Sequence, residues 1–147
     1  VSDIDALLEA LKKTPPMFPG TPWGDERLSE FEAQTGVRLP ADLVAVLRAH
    51  GECGIPRFTL DLAIHGDHEL GSHLKPGMLI IGDDGGGSIY VCDTAGASGR
   101  GAGTVLLMEM GVMLLAEARV VAPSMAQAML RALRKENLFE GSPKLGA

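Results

Sequence analysis

The spacing of apolar positions changes character near residue 51. Before it, the spacing is helical. Ile4, Leu7, Leu8 and Leu11 fall at i, i+3, i+4 and i+7, which is one face of a short helix. Ser2 or Asp3 can cap its N-terminus by accepting orphan backbone N–H bonds. Thr14-Pro15-Pro16 stops it, since proline lacks an N–H and restricts the residue before it. Residues 25–35 predict a second helix, with Leu28 and Phe31 inward and Glu26, Glu30 and Glu32 solvated. Gly36 then suits a left-handed C-cap. Pro40 opens a third helix, where a missing N–H costs nothing. Leu43, Val44 and Leu47 give that helix its apolar side, and His50-Gly51 ends it.

Beyond residue 51 the pattern is β. Arg57 to Asp61 predicts a strand, and residues 65–77 are polar and turn-like. Leu79 to Asp93 then carries two runs of β-formers, which suit a pleated, half-buried surface. Between them stands Asp83-Asp84-Gly85-Gly86-Gly87, so the stretch predicts a hairpin. Residues 94–103 (TAGASGRGAG) predict a surface loop, and Thr104 to Glu109 another strand. Val112 to Leu115 fits either strand or helix, and residues 119–121 fit a short edge strand. Ser124 and Gln127 have capping-box spacing, ahead of an apolar stripe of Met125, Met129, Leu130 and Leu133. This last helix is expected to run to about Asn137, and residues 138–147 to fray. Helices, then antiparallel strands, then a helix describe an α+β fold rather than a doubly wound one.

Length adds that this is one domain, residues 1–147, with its core over about 23–137. A chain of 147 residues buries roughly 70% of its unfolded surface, so it needs no staples. In the proline-rich connection of residues 15–24 (PPMFPGTPWG), Met17, Phe18 and Trp23 either fold back over the core or form an exposed partner patch. The net charge of −6 argues against direct nucleic-acid binding, which needs a basic stripe. Acidity also fits a basic protein partner reached by electrostatic steering. Cys53 and Cys92 lie outside any CxxC pair, and Cys92 reads as a small buried hydrophobe. Lack of a disulfide framework favours a reducing compartment. Charges interrupt Val1 to Leu11, and no run approaches the roughly 20 apolar residues of a membrane span. A cytoplasmic, membrane-free protein is expected.

Candidate chemistry is thin. A phosphate loop needs Lys and Ser/Thr after its glycines, opening a helix. Here Ser88-Ile89-Tyr90-Val91 follows, which is β, and two carboxylates would repel phosphate. Adjacent Asp side chains in a strand-like tip point apart, so they make a poor cation site. Glycines supplying positive φ in a turn explain the tip better. His65, His68 and His73, beside Asp67 and Glu69, are weak metal candidates. Their spacing matches no motif with a firm mechanism, and Gly66 and Gly71 oppose a helix there. No GxSxG elbow is present, and nothing pairs a nucleophile with a base. No catalytic residue and no cofactor is assigned.

Three stretches together resemble a known family. Phe31 to Leu43 (FEAQTGVRLPADL) is similar to a signature in which a helix ending E-x-x-x-G is followed by Leu-Pro and a further helix. That second helix ends in an Asn-Gly-like turn, occupied here by His50-Gly51. Ile81 to Gly87 resembles a central glycine-rich hairpin whose second strand ends in Asp, here Asp93. The capped helix from Ser124 resembles a closing S-x-x-x-x-L helix. The family is the SUKH superfamily of Smi/Knr cell-wall-regulator-like proteins, and the resemblance covers residues 23–135. It implies an α+β domain with no catalytic set. Many bacterial members are immunity proteins that bind and block a toxin domain, often a nuclease, and fungal relatives act in cell-wall regulation. His50 in place of Asn and the long Gly-Ala loop at 94–103 depart from the pattern.

Resemblance and charge agree on a non-catalytic protein-binding domain, an immunity protein whose acidic surface neutralises a basic toxin domain. Asp61, Asp67, Glu69, Asp83, Asp84 and Asp93 are its candidate contact residues. The alternatives are a regulatory scaffold of the same fold without a toxin, and a small metal-dependent enzyme using the His65–His73 segment.

Overall fold

The computed structural model describes residues 2–63, 74–112 and 114–146. Strand-forming sequence after residue 51 builds a single six-stranded antiparallel sheet. Its strands are β1 (Gly54–Ile55), β2 (Phe58–Leu60), β3 (Met78–Asp83), β4 (Ser88–Asp93), β5 (Thr104–Glu109) and β6 (Arg119–Ala122). They pair in chain order, each with the next, so the sheet is a meander. Helices α1 (Asp3–Lys13), α2 (Asp25–Thr35) and α3 (Ala41–His50) precede the sheet, and α4 (Met125–Leu133) follows it. This is the α+β architecture expected.

The helix ends follow their sequence signals. Ser2 Oγ accepts from the Asp5 N–H at 3.2 Å, and Ser124 Oγ from the Gln127 N–H at 3.2 Å. Gly36 takes φ 69° and donates to the Glu32 carbonyl. The Gln127 amide does not reach back to its own cap. It donates to Asp3 Oδ2 at 2.9 Å and joins α4 to the start of α1. α4 also ends at Leu133, short of Asn137, because Lys135 turns the chain with φ 60°.

One sheet face carries Leu79, Ile81, Tyr90, Cys92, Val105 and Leu107 into the main core. There they join Leu7 and Leu11 of α1, Leu43 and Leu47 of α3, and Met125 and Met129 of α4. Strand residues alternate faces, so Met78, Ile80, Ile89, Val91, Leu106 and Met108 point the other way, and they are buried too. Leu74, Ala97, Leu115 and Leu145 pack against them. The half-buried hairpin expected from composition is therefore covered on both faces.

Three further expectations are corrected. Residues 138–146 are docked rather than frayed. Leu138 is 2% exposed in the main core, and Pro143 to Leu145 lies along β6. The Val120 N–H donates to the Pro143 carbonyl at 2.8 Å, and the Leu145 N–H to the Ala118 carbonyl at 2.7 Å. At the far edge, Phe18 and Gly54 exchange backbone bonds at 2.8 and 3.2 Å. Both edges of the sheet are thus shielded by the chain's own segments, which blunts edge-to-edge association. Of the three apolar residues between α1 and α2, only Trp23 folds into the core. Its ring lies 5.7 Å from that of Phe31, while Met17 and Phe18 are 59% and 66% exposed. Of the run Val112 to Leu115, Val112 lies in a turn and Leu115 opens a 3₁₀ segment at Leu115–Glu117, so neither belongs to a strand or an α-helix.

Cys53 and Cys92 are free and buried. Burial pushes their thiols up to about 11 and about 12, with the charges of Asp42 and Asp93 adding to the effect at Cys92. Protons held more tightly in the native state than in the unfolded chain make this contribution to stability full below the ordinary thiol value of 9.0 and progressively lost as pH rises from there through the folded values of about 11 and about 12. The melting temperature should therefore fall from pH 9 upward, and less so in a Cys53→Ala/Cys92→Ala double variant. Native thiols should label far more slowly than denatured ones at pH 8. Equal labelling rates would contradict this burial.

Candidate functional site

The β3–β4 turn is built by its own carboxylates. Asp83 Oδ1 accepts from the Gly85 N–H at 2.9 Å. Asp84 Oδ1 accepts from the N–H groups of Gly86 at 2.7 Å and Ser88 at 3.1 Å. Short polar side chains commonly satisfy a turn's backbone in this way. β4 starts at once at Ser88, so no helix N-terminus faces the glycines and no phosphate cradle forms. Both aspartates remain half-buried and open to solvent on one side.

The other candidate acids separate. Asp61 is half-buried at the end of β2, with Oδ1 accepting from the Ala63 N–H at 2.9 Å. The register places it about two residues along β3 from Asp83, or roughly 7 Å. Asp93 is removed from any contact surface by burial. It is 0% exposed, at the end of the hairpin away from the turn. Its two oxygens accept from the Ala97 N–H at 3.0 Å and the Ser98 N–H at 2.8 Å, which folds the 94–103 loop back on the sheet. Asp67, Glu69, His65, His68 and His73 lie outside the described residues. Among the described residues, no three His, Cys, Asp or Glu side chains are grouped as metal ligands. The two cysteines are the opposite of activated thiolates, being buried with raised pKa values.

What the pattern of the sequence did not single out is the loop after β5. Met110, Val112 and Leu114 are exposed there. The Met110 N–H donates to the Gly87 carbonyl at 3.0 Å, which fastens this apolar loop to the acidic turn. Next to the loop is a cleft of ≈ 170 Å³ lined by Val112, Leu114, Glu117, Arg119, Phe139 and Lys144, among others. A shallower depression, bordered by Asp84, Gly86, Ser88, Glu109 and Phe139, continues from it toward the turn. The tail holds Phe139 in place. The Arg119 guanidinium lies 4.9 Å above the Phe139 ring, and its Nη1 donates to the Ser142 carbonyl at 3.2 Å. Lys144 Nζ meets Glu117 at 2.6 Å. That hydrogen bond, with the charge behind it, holds the Glu117 carboxyl below its ordinary value. The run Val112 to Leu115 was the available signal: four apolar residues with no clear period.

Two comparisons bear on identity. The family model described as SMI1 / KNR4 family (SUKH-1) matches residues 22–131, which is more than half of the chain. The matched span runs from just before Trp23 into α4 and includes the β3–β4 turn and the Met110 loop. No curated protein matches the chain.

Proposed function

The chain belongs to the SMI1/KNR4 family (SUKH-1), and from that premise we propose that it is a non-catalytic protein-binding domain, an immunity protein that neutralises a cognate bacterial toxin. The family match carries this reading. Two physical features support it. The net charge of −6 favours a basic partner, such as a nuclease domain whose substrate groove is lined with Lys and Arg. The half-buried Asp61, Asp83 and Asp84 keep part of their surface open to solvent and are the acids offered to such a groove. An acid that already holds a turn loses little conformational entropy when it meets a cation. The protein would act where the toxin acts, inside the cytoplasm.

The test is co-expression with the toxin encoded beside this chain. Growth should be restored, and the two proteins should co-elute as a complex whose association slows steeply with added salt. Absence of both rescue and complex with every neighbouring toxin would overturn the reading.

A further inference from the structure

The two edges of the sheet are covered in different ways. At the β1 edge the cover is Met17 and Phe18, with Pro15 and Pro16 before them and Pro19 after. The Met17 and Phe18 N–H groups are both spent on the Gly54 carbonyl, and prolines have none. Residues 15–19 therefore present no N–H to a further strand. At the β6 edge the cover is the tail, which has two parts. Residues 136–142 are anchored, with Leu138 and Ser142 buried. Arg131 pairs with Glu136 at 2.8 Å, and its Nη1 donates to the Val121 carbonyl at 2.6 Å and to Ser142 Oγ at 3.0 Å. Beyond Ser142 the hold is light. Pro143 and Gly146 are exposed, and Lys144 and Leu145 are only half-buried. Among the described residues, three backbone bonds join this strap to the edge. They are the two of Pro143 and Leu145 already described and one from the Gly146 N–H to the Ala116 carbonyl at 3.0 Å. A segment with so few buried apolar contacts opens locally at low free energy.

Under the strap is a strand edge of defined chemistry. Lifting the strap takes partners from the Val120 N–H and from the Ala118 and Ala116 carbonyls. Glu117 loses the Lys144 ammonium. Leu145 leaves the second apolar cluster, where Leu115, Ala118 and Val120 remain. An extended segment restores all of these together. Its backbone supplies one carbonyl and two N–H groups, a lysine or arginine meets Glu117, and an apolar side chain in the next position takes the place of Leu145. When a peptide adds to a sheet edge, main-chain bonds give affinity and side chains give specificity. Arg119, paired opposite Lys144, is turned to the Phe139 ring and the Ser142 carbonyl of the anchored part. Glu117 is thus the charge that an incoming cation meets.

We propose that Pro143 to Gly146 is a displaceable strap over the outer edge of β6, and that this edge accepts an extended protein segment carrying lysine or arginine next to an apolar residue. The family match ends at residue 131, so the strap lies outside it. The inference rests on the protein-binding reading and adds to it the face and the form of the partner.

The strap's own sequence is the probe. A short tethered segment acts at an effective concentration on the order of millimolar. Because the strap is closed, the peptide Ser-Pro-Lys-Leu-Gly-Ala, residues 142–147, should bind a released edge with a Kd of about a millimolar or below. The full chain, labelled with nitrogen-15, carries Lys144→Glu and Leu145→Ser to release the strap. The first sets a like charge on Glu117, and the second withdraws the apolar side chain. Neither side chain is fully buried, so melting should fall by no more than about 4 °C. Amides of residues 116–120 should shift saturably with the peptide. The wild-type chain, whose strap competes, should bind at least about tenfold more weakly. Peptides with glutamate for lysine or serine for leucine should also bind more weakly. Hydrogen exchange on the wild-type chain needs no variant: the Val120 amide should exchange through local opening, faster than the amides of β4. Val120 exchange only with unfolding of the whole domain, shifts centred on another face, no saturable shift, or equal binding by wild type and variant would overturn the proposal. If toxin-expressing cells are rescued while the peptide fails, neutralisation stands and this edge is wrong. If the peptide binds and rescue fails, the edge stands and the toxin reading is wrong.

Discussion

Alanine at Gly82 should lower stability by about 3 kcal/mol, the upper end of ordinary overpacking costs. A Cβ there would stand 2.0 Å from the Thr59 carbonyl oxygen and 3.2 Å from the Leu60 Cα. Both obstacles are backbone, so no rotamer relieves them. Neither strand is free to retreat. Leu60 pairs with Gly82 and Thr59 with Asp83, while β3 is held on its other side by β4. The ladder also shifts register between Ile80 and Gly82, which fits the close approach only glycine permits. Gly86→Ala is the internal control. Its Cβ would meet only the Asp84 carboxylate, no nearer than 3.5 Å, and the change should stay within about 0.5 kcal/mol. Urea unfolding gives the free energies, and the Gly82 variant should also melt lower by roughly 6–12 °C. Equal stability of the two variants would show that β2 does not sit against β3 as described.

That contrast explains part of what the sequence conceals. Ile81 to Gly87 reads as one glycine-rich turn, yet its glycines serve different ends. Gly85 and Gly87 adopt φ of 76° and 95°, the turn role expected of them, whereas Gly82 answers to a neighbouring strand. Local roles are legible because they depend on neighbours in sequence. Thus the Ile4, Leu7, Leu8, Leu11 spacing located α1, Gly36 its neighbour's cap, and Thr104 to Glu109 the strand β5. Roles that depend on distant chain are not. β1 is two residues long, too short for any period, and exists because Phe18 on one side and β2 on the other pair with it. Residues 138–146 are polar and aperiodic, but Leu138, Phe139 and Leu145 find apolar surface prepared elsewhere. The same limit applies to the acids. Asp83, Asp84 and Asp93 all look like surface carboxylates in sequence. Only the fold distinguishes the two at the turn from Asp93, whose loop closes over it. The exposed face of the Met110 loop was hidden for a related reason, since apolar residues predict burial and only the finished surface reveals the exceptions.

A second large loss of stability should follow from Asp42→Ala, at about 2–4 kcal/mol. Asp42 sits in the first turn of α3 and is 8% exposed. Its Oδ1 accepts from the Leu43 N–H at 2.9 Å, and its Oδ2 from the Ala126 N–H of α4 at 2.9 Å. One carboxylate therefore serves the N-termini of two helices distant in sequence. Both helix ends carry partial positive charge, which favours the anion. Removing it leaves two buried donors unsatisfied, each costing about 1–3 kcal/mol, offset in part by no longer burying a charge. Ser124→Ala is the fitting comparison. It removes a single half-buried cap bond from the same helix, where about 1 kcal/mol is usual. Asp42→Asn should fall between them, because its amide keeps an acceptor but turns a donor toward one N–H. Denaturant unfolding of the three variants orders them, with unchanged m-values if only the native state is affected. An Asp42→Ala loss no larger than that of Ser124→Ala would mean that the α3–α4 junction is held by apolar contact alone.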